Sequence, residues 1–146
     1  MAPAPRALAP PAPVPAAPSA PRPEREQLLR AALAFVDALL HSDATALAAA
    51  SADRFSFDGA LTVGRENQVR RWREIFAARA AGDAVLRDLV LLDAEEALAQ
   101  LGAPPTRIAP LVKPGAWVAV ADVSGRPVVL VLVRDGGRFT VAGMHD

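Results

Sequence analysis

The chain has 146 residues, zero formal net charge, 52% apolar side chains and no cysteine. The charge balance argues against electrostatic capture of nucleic acid or an anionic membrane, both of which need a concentrated basic face. The missing thiols exclude disulfides, thiolate nucleophiles and cysteine-ligated metals, and leave the compartment open.

Residues 1–23 are almost wholly proline and alanine. Proline blocks helix and sheet ladders, so this segment is expected to be a disordered, polyproline-like tail. The same prolines interrupt any apolar run long enough for a signal peptide. Two readings stay open: a plain tail or over-called start, and a linker that once followed a membrane anchor. The domain proper is then 24–146, roughly 120 residues, enough to bury one core. With no membrane span in view, a cytoplasmic location is expected.

A first helix is expected from about Glu24 to His41, with Leu28, Leu29, Ala32, Leu33, Val36, Leu39 and Leu40 on one arc. Ser42 and Asp43 offer a cap for a short helix over 44–52. Arg54 to Asp58 alternates as a strand with Phe55 and Phe57 on one face, and Gly59 ends it. A third helix follows Gly64 to about Ala80, with Val69, Trp72, Ile75 and Phe76 as its apolar stripe. Val85 to Leu92 has strand character, and Asp93 to Leu101 a short helix with acids in its first turn. Pro104, Pro105, Pro110 and Pro114 then enforce an irregular crossing.

Trp117 to Met144 organises the rest. It divides into WVAVADV, PVVLVLVR and RFTVAGM, joined by Ser124-Gly125-Arg126 and Asp135-Gly136-Gly137, which predicts an antiparallel meander. The middle strand is apolar at every position from Val128 to Val133. A strand with one wet face alternates, so both faces here require cover. Helices can supply one; the other needs a second layer, a partner subunit or an apolar ligand.

Candidate chemistry is sparse. The chain has no tyrosine and two histidines, His41 and His145, so no metal site is expected and no cofactor is implied. His41 lies one turn after Asp37, spacing for a solvated ion pair. His145 is delivered by the last strand, though a penultimate residue can fray into solvent. Asp122 interrupts the apolar face of Val118 and Val120; inside a cavity its pKa would rise and it could act as a base, whereas near a turn it is ordinarily wet. Arg87 and Asp88 suit a solvated edge strand. The arginines of the third helix scatter around its axis, interleaved with Glu66 and Glu74, as on a solvated face.

The order of elements, with Phe55-Ser56-Phe57-Asp58-Gly59, Gly64-Arg65-Glu66 before Val69 and Trp72, and Val133 through His145, resembles the nuclear transport factor 2-like superfamily, which includes SnoaL-like and ketosteroid isomerase-like proteins. The resemblance covers about residue 24 to the end. It implies an α+β fold, cystatin-like, in which a curved antiparallel sheet wraps the N-terminal helices as a cone with an apolar pocket. Phe57, Trp72 and Trp117 would line that pocket, though filling a core is the commoner use of such residues. The resemblance also implies a homodimer or partner docked through the sheet's outer face. The segment at about 93–115 departs from the family pattern and could be a lid over the mouth or an edge cover. The leading expectation is a non-catalytic module that dimerises or docks a partner and holds a small apolar ligand. The alternative is a SnoaL-like isomerase, cyclase or hydrolase on a small apolar substrate, with Asp122 and His145 as its catalytic groups.

Overall fold

The computed structural model describes residues 22–79 and 83–146. The proline-alanine tail expected over 1–23 lies outside the described residues for 1–21. Arg22 and Pro23 open the first helix, where proline's missing N–H costs nothing.

Among the described residues four α-helices and six strands follow in order: α1 (Arg22–Leu40), α2 (Ala44–Ala50), β1 (Ser51–Phe57), β2 (Ala60–Val63), α3 (Arg65–Ala78), β3 (Leu86–Asp93), α4 (Ala94–Leu101), β4 (Trp117–Val123), β5 (Arg126–Asp135) and β6 (Arg138–His145). The sheet is open and curved, with strand order β2-β1-β6-β5-β4-β3. Neighbours pair antiparallel except β1 and β6, which run parallel. The β5–β6 ladder shifts register between Val131 and Leu132, a bulge that bends the sheet.

Local chemistry explains the junctions. Asp43 caps α2 by accepting from the Ala46 amide at 3.0 Å. Asp93 and Glu96 form a reciprocal capping box that starts α4 directly at the end of β3. Between β1 and β2, Asp58 and Gly59 both take positive φ, 53° and 93°. That is the backbone of a tight primed hairpin turn, for which Asp-Gly is suited. The chain therefore does not stop at Gly59 as the alternation implied; it returns as β2.

The concave face holds the main core. Leu28, Ala32, Phe35, Val36 and Leu39 of α1 pack on Leu91, Trp117, Ala119, Leu130, Leu132, Val141 and Met144. Trp72 of α3 sits among four phenylalanines, with ring centroids at 6.1 Å from Phe35, 5.9 Å from Phe55, 5.3 Å from Phe57 and 5.7 Å from Phe76. One assignment on α1 is corrected: Leu33 is 44% exposed, and Phe35 is the fully buried residue. Arg30, Leu33 and Asp37 share the solvent side at helical spacing, so Leu33 lies past the edge of the stripe.

The convex face has its own cover. Residues 93–115 fold across it, over edge strand β3 and on to β4 and β5, rather than over the mouth. Ala97 of α4 packs with Leu92 and Val118, and Ile108 packs with Ala116 and Val131. Leu111 lies against bare backbone of β6, where a Cβ on Gly143 would fall 2.4 Å from Leu111 Cδ1. The second layer demanded by the doubly apolar β5 is thus largely intramolecular. Among the described residues no helix is long and apolar enough to cross a membrane.

Candidate functional site

The layer on the convex face does not close over the sheet. Between α4, the 102–116 crossing and strands β4 and β5 lies a half-open groove of about 980 Å³. Its walls are apolar: Ala97, Leu98 and Leu101 from α4, Ile108 and Val112 from the crossing, and Val118, Val120 and Val129 from the sheet. Charged groups stand among the groove residues too, including Glu24, Glu95, Lys113 and Arg134. Glu24 and Arg134 form an ion pair that fastens the first turn of α1 to one end of the groove. The sequence carries a signal for this face. Ala94, Ala97, Leu98 and Leu101 recur at helical spacing, an apolar stripe wider than an edge cover needs. Ala97 uses the stripe to reach the sheet, while Leu98 and Leu101 remain 58% and 56% exposed beside the groove.

A second cavity, about 820 Å³, opens at the mouth between the helices and the concave face. Leu39, Leu40, Phe76, Val128 and Met144 line it, with Ser42, Arg79, Asp83, Arg126 and Asp146 as its polar groups. Arg79 pairs with Asp146 at 3.2 Å, both exposed. No histidine lines either cavity.

The most connected polar cluster lies on neither cavity. The left-handed backbone at Asp58 turns its carboxylate toward the end of β6, where His145 Nδ1 meets Oδ1 at 2.5 Å. Arg107 Nη1 donates to Oδ2 at 3.0 Å, and the Asp58 amide donates to the Met144 carbonyl at 2.8 Å. One carboxylate thus joins the β1–β2 turn, the last strand and the convex layer. The geometry orients the imidazole as in a general-base pair, and neither of the two cavities has Asp58, Arg107 or His145 in its walls. The cluster is arranged as a clamp on these three elements.

That role makes a prediction. Asp58→Ala removes both partners, each worth at most about 1 kcal/mol at this exposure, so global stability should fall by about 1–2 kcal/mol. A local effect on the convex layer should accompany it. The amides of Ile108 and Ala109, which donate to the Pro105 carbonyl, should exchange with solvent on the order of tenfold faster, while core strand amides change only with global stability. Hydrogen exchange read by mass spectrometry measures this, and unchanged protection over 105–112 would show that the clamp does not hold the layer.

The residues singled out from the sequence are scattered by the fold. Asp122 shares the convex face with Val118 and Val120, and its Oδ1 accepts from the Gly125 amide at 2.7 Å, stabilising the β4–β5 turn. It lines neither cavity. His145 is held by Asp58 rather than fraying, 27% exposed at its side chain. Trp72 and Phe57 belong to the aromatic cluster, and Trp117, in the main core, also reaches the groove wall. His41 donates from Nδ1 to the Asp37 carbonyl at 2.8 Å on the solvent side of α1. Among the described residues no three potential metal ligands gather. What sequence reasoning missed is the Asp58–His145–Arg107 cluster, whose members are 49 and 87 positions from Asp58. No local pattern encodes such a meeting.

No protein-family profile matches the chain, and no curated protein matches it significantly. Solved structures do. A protein of unknown function with a cystatin-like fold from Nostoc punctiforme superposes with a TM-score of 0.54 at 10% identity, over 85% of this chain and 90% of that one. A candidate dehydratase of the nuclear transport factor 2-like family from Streptomyces avermitilis gives a TM-score of 0.54 at 16% identity, over 86% and 96%. The fold is nuclear transport factor 2-like. A candidate aromatic ring hydroxylase from Novosphingobium aromaticivorans has the same fold, with a TM-score of 0.54 at 13% identity over 86% and 89%. At such identities the nuclear transport factor 2-like likeness concerns architecture alone. It agrees with the α+β class and the curved sheet expected from the sequence.

Proposed function

We propose that this chain is a non-catalytic nuclear transport factor 2-like module that captures a small apolar ligand on the convex face of its sheet. The observation that carries the reading is the groove: about 980 Å³ walled by aliphatic side chains, with Leu98 and Leu101 left exposed on its wall. A volume of that size is in the range of small-molecule sites, and apolar walls with a few convergent polar groups are their usual composition. Apolar burial would drive binding, at roughly 25 cal/mol for each Å² removed from water.

The test is a titration of the full chain with the neutral apolar dye N-phenyl-1-naphthylamine. Leu98→Arg places a charge on the groove at a position too exposed to unfold the domain, and should weaken dye binding by about tenfold or more. Leu40→Arg, at the concave mouth, should leave binding unchanged. The reverse pattern would move the ligand to the mouth and favour the alternative, a SnoaL-like isomerase, cyclase or hydrolase. Supporting that alternative is the second cavity with its Arg79–Asp146 pair; against it stands the lack of a buried acid or histidine among the residues lining that cavity. Sedimentation equilibrium of wild type beside Leu98→Arg tests the homodimer. A wild-type dimer that Leu98→Arg splits would make the groove a self-interface.

A further inference from the structure

We propose that the groove's resident occupant is the chain's own proline-alanine segment, residues 8–18, which a ligand must displace. The inference rests on the apolar-ligand reading of the groove and adds its regulation. Three observations point to this occupant. The described chain begins at Arg22, and two residues later Glu24 is already a groove residue, tied to Arg134 at one end. The 21 residues upstream therefore start from the groove's edge rather than from a remote surface.

Dimensions agree. The groove follows β5 from Arg134 toward Pro127, seven residue steps or roughly 23 Å at about 3.3 Å each. A polyproline-like segment advances about 3.1 Å per residue, so roughly seven residues fill it. The stretch from Leu8 to Pro18, LAPPAPVPAAP, supplies eleven without a charge. Ser19, Ala20 and Pro21 remain to connect it to α1.

Chemistry agrees as well. Five of those eleven residues are proline, so the segment carries few amide donors that an apolar groove would leave unpaired. Its side chains are alanine, valine, leucine and proline ring, which match walls of leucine, isoleucine and valine. Tethering makes weak intrinsic contacts sufficient, since a short linker holds the segment near millimolar effective concentration.

The experiment uses the full chain. It has no cysteine, so Ala4→Cys carries a single nitroxide label. Amide signals of Leu98, Val120 and Val129 should broaden selectively, and Leu98→Arg should abolish the effect. In parallel, Pro10→Ser, Pro11→Ser, Pro13→Ser, Val14→Ser and Pro15→Ser are combined in one chain, and N-phenyl-1-naphthylamine should bind it roughly fivefold more tightly than wild type. Absent or evenly spread broadening, or equal dye affinity in both chains, would overturn the tail's role while leaving the groove as a ligand site. Dye that binds neither chain would count instead against the ligand reading. Broadening seen only between separately labelled copies would overturn intramolecular docking.

Discussion

Val131→Lys should lose several kcal/mol of stability and shift the urea midpoint sharply. Val131 is fully buried, packed under Ile108 and Ala116 of the chain's own convex layer. A lysine there has to bury its ammonium, neutralise, or push the layer off, and each route costs on the order of several kcal/mol. Against a total of about 5–15 kcal/mol for a domain, that is a large fraction. Leu130→Lys should be as damaging, because Leu130 is fully buried on the concave side. Leu98→Lys, on the exposed groove wall, should change stability by only about 0.5 kcal/mol. This contrast decides what covers β5. If a second subunit supplied the layer, Val131→Lys would give a folded monomer of near-normal stability. Urea unfolding followed by far-UV circular dichroism, with sedimentation on the same samples, separates the outcomes.

Trp72→Ala should cost about 3–5 kcal/mol, the range for deleting a large aromatic from a packed interior. The indole is 2% exposed and meets Phe35, Phe55, Phe57 and Phe76. Removing it leaves a void between α1, α3 and β1 that four rings cannot all rotate to fill. The melting temperature should fall by roughly 10–20 °C. Trp72→Phe should recover most of the loss, because a smaller ring preserves edge contacts. Dye affinity in the groove should be unaffected by Trp72→Phe, since the sheet separates the two sites. A Trp72→Ala protein with nearly normal stability would mean the tryptophan borders a ligand cavity rather than a filled core.

The same residues show how much was legible beforehand. Helical periodicity located α1 and α3 because burial of one face repeats every 3.6 residues. It placed Leu33 on the stripe and left out Phe35, since the edge of a stripe depends on what packs against it. The glycine-bearing links of the meander were readable because tight turns demand positive φ, and Gly125 and Gly136 adopt it. The same rule applied to Asp58-Gly59 would have found β2; ending the strand at glycine overlooked that Asp-Gly joins strands as readily as it stops them.

What the sequence determined by itself was the class: four helices, a meander and a central strand apolar on both sides, which requires cover on both faces. Those properties are local or periodic, so they survive without knowledge of neighbours. Tertiary structure alone decided which segment forms the third layer, that this layer leaves a groove along β4 and β5, and that Asp58 gathers His145 and Arg107. Each of these is a meeting of residues tens of positions apart. Their distances follow from the sheet's order and curvature, and no pattern along the chain records either.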